Sequence, residues 1–288
     1  MTNIARKPVV TVQGRLCIPI FRMLAVTMFG LLFAILGGPM AIAQESLPGS
    51  MDHVRLVTTE WPPYSGEDLP GKGLVSIIVK GAFARNGTEV QLSVIPWRRA
   101  LRSMSPSENT ADAIFPLYGS APRRSTFYLS EAISFSPVGF VFIRGSTFDW
   151  QTLDDLDGLT IGTVGGYVNT PTFDARVASG KIKTIEANDD LSLLRLLQAG
   201  RVDAVVMDQL VARQLLDTLS EFQTTRRLFV FHNQPLAFES LHVGFKRTPD
   251  GRLLRNIFNR GLRALRCTDN DCRNSWPRTP YFSYDNRH

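Results

Sequence analysis

The sequence predicts an α/β protein of two lobes, each a parallel sheet with crossover helices, joined by two crossovers. Three observations carry this. Short apolar runs alternate along the chain with segments of helical period, as in strand–helix–strand units. Two extended stretches, 132–143 and 233–238, interrupt that alternation where a chain would pass between lobes. The 288-residue chain is also long enough, even without an N-terminal leader, for two lobes of about 100 residues each.

The elements follow in order. Residues 54–58 read as a strand that runs into Glu60-Trp61-Pro62-Pro63-Tyr64, a loop of prolines and aromatics. A helix over 74–85 has apolar Leu74, Ile77, Ile78, Ala82 and Phe83 at helical spacing, and Asn86-Gly87 stops it. Alternation at 90–95 predicts the second strand, and Pro96 opens a helix to 104, proline being tolerated in a first turn. A third strand at 111–115 enters a loop of Pro, Gly and Ser that ends in Arg123-Arg124. The nearly uncharged run 132–143 reads as an extended crossover. A short helix and turn at 153–159 precede a strand at 160–164, whose exit loop is Gly165-Gly166-Tyr167. A short strand at 183–185 comes next. Asn188-Asp189-Asp190 then caps a leucine-rich helix that Gly200 ends. A buried strand at 202–207 ends at Asp208, a helix covers 209–219, and strands at 228–231 and 241–245 flank the second crossover. An amphipathic helix at 253–265 closes the series and is expected to pack on the first lobe.

The N-terminus reads as a secretory leader over 1–43. Arg6, Lys7, Arg15 and Arg22 precede an uncharged stretch from Met23, and Ala41-Ile42-Ala43 supplies the small-residue cleavage pattern. Its strongly apolar part, 24–36, is short for a membrane span, which needs roughly 20 residues. Without the leader, the 32 Lys+Arg fall to 28 against an unchanged 26 Asp+Glu, so the net charge of +6 drops to +2. That removes the main support for a nucleic-acid partner. Cys267 and Cys272, with four residues between them, predict a disulfide in an oxidising compartment. Two thiols with no histidine between them make a poor zinc site, and no cofactor or metal is implied.

Several residues are candidates for binding. An arginine after a strand offers a planar charged fork to a carboxylate, and strand ends are where α/β folds take ligands. Asp208 follows an apolar strand directly and is a candidate ligand group or a helix N-cap, two roles that can coexist. Trp61, Tyr64, Trp97 and Tyr118 are candidate ring walls, against the alternative of core packing. The backbone amides around Gly166 and Tyr167 suit a carboxylate oxygen, or form a plain turn; the spacing fits neither the dinucleotide nor the phosphate-loop pattern. Catalytic motifs are missing. There is no G-x-S-x-G or H-E-x-x-H, the four histidines are scattered, and only Glu60 or Glu239 suggests a cleft acid.

These motifs, in this order, resemble those of the bacterial extracellular solute-binding proteins of family 3. The stretch Asp112-Ala113-Ile114 through Arg124 to Ser134-Phe135 is similar to that family's D-x-I…T-P-E-R…F-S-x-P segment. Thr59 to Tyr64 resembles its first ligand loop. Pro96 to Leu101, Leu156-Asp157-Gly158 with Gly165-Gly166-Tyr167, and Leu197 to Asp208 match further segments, so the resemblance spans nearly the whole mature chain. It implies the type II two-lobed periplasmic-binding-protein fold, with lobe 1 at 52–140 and 238–288 and lobe 2 at 141–237. It also implies a periplasmic, non-enzymatic protein that closes on a small ligand, an amino acid or similar, for an ABC-type permease in the inner membrane. The expected ligand residues are Glu60, Trp61, Tyr64, Trp97, Leu117, Tyr118, Arg124, Gly166, Tyr167 and Asp208, of which Arg124 and Asp208 match residues with a known role in the family. Arg124 would grip a carboxylate, with Arg123 taking that role under a one-residue shift, and Asp208 would take an ammonium. The chain departs from the family where Ala121 and Arg123 replace the motif's threonine and glutamate, where Ala132 replaces proline, and where 117–120 keeps its hydroxyl pattern only in part. A cyclohexadienyl-dehydratase-like enzyme on the same fold is the alternative.

Overall fold

The computed structural model describes residues 51–266; the leader at 1–43 and the Cys267–Cys272 pair lie outside them. Two parallel half-sheets are tied together by two long antiparallel strands. In the first half β1 (His53–Thr58) lies between β2 (Glu89–Val94) and β3 (Ala113–Tyr118), parallel to both. In the second, β6 (Thr160–Val164) lies between β7 (Lys183–Ala187) and β8 (Ala204–Asp208), again parallel. The tie is β5 (Ser134–Ile143) with β10 (Ala237–Lys246), paired from Ser134↔Leu241 to Val138↔Ala237. β10 continues beside β3, and β5 beside β8. The sheet order is therefore β2-β1-β3-β10-β5-β8-β6-β7. Two three-residue strands sit off that path, β4 (Phe127–Leu129) on β10 and β9 (Phe229–Phe231) on β5.

The first stretch expected as a crossover is thus a strand over most of its length, and the second enters one at Ala237. Each would expose a row of unpaired amides and carbonyls if it ran alone, and the two satisfy one another. The third strand also runs further than expected, through Pro116. Its register with β10 shifts between His242 and Gly244, opposite Phe115 and Pro116, and a break in the ladder is where a residue without an N–H fits.

Seven helices cover the sheet among the described residues. They are α1 (Leu74–Ala84), α2 (Trp97–Ser103), α3 (Ala121–Thr126), α4 (Pro171–Ala178), α5 (Asp190–Gln198), α6 (Gln209–Thr218) and α7 (Pro249–Arg266). α7 packs against α1 and β10, as expected for the first lobe. The rings of Phe83, Phe245 and Phe258 meet there at centroid distances of 5.3–6.4 Å. α4 was not expected: it buries only Phe173 and so has almost no apolar stripe, although Thr170 caps it and Pro171 opens it. α3 corrects the reading of 119–124 as a loop. Ser120 caps a short helix by accepting the Arg123 amide, and both arginines ride on that helix. None of the described helices is long and apolar enough to cross a membrane.

Candidate functional site

The strand ends of the two halves face each other across a cleft, and aromatic side chains fill its inner part. Trp61 and Tyr64 come from the loop after β1 and stack with centroids 4.6 Å apart. Tyr118, the last residue of β3, meets Trp61 edge-on at 6.1 Å. From the other half Tyr167, in the exit loop of β6, meets Trp97 at 5.6 Å and 88°. Trp61, Trp97, Leu117, Tyr118 and Tyr167 line one cavity of about 30 Å³. That is room for a water molecule or two, too little for any solute unless the halves part.

Hydrogen bonds join the halves behind these rings. Tyr64 Oη donates to Asp208 Oδ2 at 2.9 Å, and Ser136 Oγ donates to the same oxygen. Tyr118 Oη shares a bond of 2.9 Å with Ser136 Oγ. Asp208 Oδ1 accepts the Val211 amide at 2.8 Å, so Asp208 does cap α6, and its carboxyl is 1% exposed. Burial pushes that carboxyl up to about 6, against the pull of the donors on it. Nearby, Tyr167 Oη donates to Asp190 Oδ2 at 2.8 Å. Burial raises Asp190 to about 7, and the charges of Asp208 and Asp189 add to the shift.

The two arginines on α3 part ways. Arg123 lines the cavity, donates from Nη2 to the Gly166 carbonyl at 2.7 Å, and lies 5.5 Å from the centre of the Trp97 ring. Burial lowers its pKa. Arg124 is exposed and turns its guanidinium toward Gly119, beside the Ser240–His242 pair, whose Oγ and Nε2 are 2.8 Å apart. Of the two, the cavity holds the one that a one-residue shift would select.

Gly166 takes a left-handed conformation, φ +84°, which favours glycine. Its carbonyl collects both Arg123 and Trp97 Nε1, the latter at 3.2 Å. The amides expected to meet a carboxylate here are partly spent: Gly165 donates to Ala187 and Tyr167 to Val164. Glu60 is exposed, and its Oε1 accepts the Glu67 amide at 2.9 Å, away from the rings.

Of the ten expected residues, then, Trp61, Trp97, Leu117, Tyr118 and Tyr167 line the cavity. Tyr64 and Asp208 lie behind it, Gly166 bridges it, and Glu60 and Arg124 stand outside. Sequence reasoning passed over Ser136, which sits in an uncharged run with nothing to mark it. It also took Asp190 only as part of a cap, since burial of a second acid leaves no trace in the sequence. Trp61 Nε1 is buried and has no acceptor among the described residues.

No family model matches the chain, and no curated relative does. Solved structures do. The holo form of ArgBP from T. maritima has a TM-score of 0.63 at 20% identity, covering 76% of this chain and 93% of that one. An ancestral arginine-binding protein bound to arginine gives 0.63 at 18%, over 75% and 93%. The GluR0 ligand-binding core from Nostoc punctiforme, in complex with L-glutamate, gives 0.57 at 22%, over 74% and 92%. The chain therefore has the α/β fold of the two-lobed binding proteins, and at these identities the likeness is one of fold.

Proposed function

We propose that this chain is an exported solute-binding protein that captures an amino acid or a similar zwitterion between its lobes and hands it to an ABC-type importer. Lobe 1 is 52–140 with 238–288 and lobe 2 is 141–237, boundaries that fall within β5 and β10, where a bend in the paired strands would open the cleft. The observation that carries this reading is a ring-lined cavity with Arg123, from lobe 1, in its lining and Asp208, at the end of a lobe 2 strand, behind its rings. A carboxylate would take over the Arg123 donors that now reach Gly166, and the free Trp61 N–H is a second donor for it. An ammonium would take the place of the hydroxyls on Asp208. Solved relatives of the fold with bound arginine and glutamate support the ligand class.

Calorimetry over a panel of amino acids tests this. Arg123→Ala should weaken the best ligand by about tenfold to several hundredfold, the cost of losing a charge-assisted contact. Arg124→Ala should leave its affinity within about twofold, since an exposed charge at that position is worth little. Equal losses in both variants would return the carboxylate to Arg124. No loss in either would point to a ligand without an acid group.

The dehydratase-like reading rests on Asp190 and Asp208, two buried carboxyls raised toward neutrality as a general acid would be. Turnover of arogenate or prephenate by the purified protein, abolished by Asp190→Asn, would replace the binding reading.

A further inference from the structure

Beyond Trp97 the cleft opens into a second and much larger space of about 770 Å³. Thr59 and Trp97 belong to both linings. One wall is the end of β2 with the start of α2, where Val94, Ile95 and Pro96 face inward; the other is α6 and its C-cap, with Val211, Leu215 and Leu219. Four carboxylates stand on this groove, Glu60 and Asp68 from lobe 1 and Asp189 and Asp190 from lobe 2. Arg98 is the one basic residue among its lining, and Glu186 holds that guanidinium at 2.5 Å. An acidic rim alone would be an ordinary solvated surface. Asp190 is different: it is 3% exposed, and its Oδ1 has no hydrogen-bond partner while Oδ2 takes Tyr167. A buried carboxylate oxygen without a donor is costly, and a cation is the group that relieves it.

We infer that this outer groove takes an amine with an extended apolar body, its ammonium on Asp190 and its chain between α6 and the end of β2. The inference rests on the cleft being a solute site, and it names the class of solute. The volume falls in the range of pockets that enclose drug-sized molecules and exceeds what a simple amino acid needs. The apolar walls make chain length the quantity the site reads. Asp190 faces Tyr167, Asp208 and Asp189 within lobe 2, and Glu60, Asp68 and Arg98 across the groove. Because its carboxyl is raised to about 7, an arriving ammonium has to displace its proton, so binding should tighten as the pH rises from about 6 to 8.

The test is calorimetry of n-octylamine, n-butylamine and octanoate on the purified protein. Octylamine should bind at least about tenfold tighter than octanoate, and each methylene from butylamine to octylamine should add about three- to fourfold. Asp190→Asn should weaken octylamine by about tenfold or more, and Leu215→Trp, which fills the groove, should weaken octylamine more than butylamine. If Asp190→Asn does not fold, the Leu215→Trp comparison and the octanoate control decide alone. Equal binding of octylamine and octanoate, or no dependence on chain length, overturns the inference. Amino acids that bind and depend on Arg123 while octylamine does not bind would sink the groove and leave the solute reading standing. Octylamine binding with no amino-acid ligand would do the reverse to the choice of zwitterion.

Discussion

Where Trp61, Tyr118 and Tyr167 meet, the cleft has shrunk to about 30 Å³; past Trp97 it widens to about 770 Å³. The inner arm is crossed by polar contacts with good geometry, from Tyr64 to Asp208 and from Arg123 and Trp97 to the Gly166 carbonyl. The outer arm is lined by aliphatic side chains and acids, and the ion pair that crosses near it, Arg98–Glu186, is exposed on both sides. The difference teaches where lobe closure is held. Directional bonds between the halves, buried at Asp208 and more exposed at Gly166, fix how the lobes meet, while the outer arm stays open to bodies of different length.

Each arm backs onto one buried carboxyl, and pH tests this with the largest expected effect. An ordinary aspartate titrates near 3.8, whereas Asp208 sits near 6 and Asp190 near 7. The folded protein therefore holds protons that the unfolded chain releases between those values. The stability this supplies is complete below about pH 4 and is lost as pH rises through 6 and then 7. At about 1.4 kcal/mol per unit, the Asp190 shift alone is worth on the order of 4 kcal/mol. Denaturant melts from about pH 4 to 8 should show the fall. Asp190→Asn should flatten its upper part and Asp208→Asn its lower part. A flat wild-type profile would mean that neither carboxyl is buried in solution.

Much of the scaffold behind this comparison is legible in the sequence, because period-2 and period-3.6 patterns report burial directly. β6 falls on the expected 160–164, and α5 begins where Asp189 caps it. Illegible are the features that depend on partners remote in sequence. Nothing within 132–143 shows that it pairs with 237–241. Nothing within Arg123-Arg124 shows which of the two faces the cavity, since the choice follows from Ser120 starting a helix and fixing its phase. The aromatic walls were visible because they flank prolines and strand ends. Ser136 was not, because a serine in a strand gains a role only from Tyr118 and Asp208 on other strands.

A smaller effect separates the hydroxyls of the two arms. Tyr64→Phe keeps the stack on Trp61 and removes the donor to Asp208. It should cost about 1–2 kcal/mol of stability, and more at about pH 8 than at pH 5, because bonds to an ionised acceptor are the stronger ones. Tyr167→Phe should do the same for Asp190 and leave the inner arm unaltered. Denaturant melts of the two variants with pH distinguish them: if both follow the Asp208 titration, the arms are one electrostatic unit.

The smallest effect is expected at the outer ion pair. Arg98 lies over Gly165 so closely that a Cβ there would fall 1.8 Å from its Nη2, so the glycine leaves room for the guanidinium to reach Glu186. The two side chains are 53% and 58% exposed, which makes the pair a screened surface contact worth about 0.2–1 kcal/mol. Because it bridges the lobes, that energy falls on the closed–open equilibrium and should change the ratio by less than about fivefold. Small-angle scattering of unliganded Arg98→Ala should show a slightly larger open fraction and no change in melting temperature. Raising salt from about 0.05 to 0.5 M should open the wild type by a similar amount and leave the variant unmoved, because only the wild type has an exposed pair to screen. A shift in the variant as large as that of Trp97→Phe, which loses the part-buried bond to Gly166, would put closure on the outer arm and reverse the comparison.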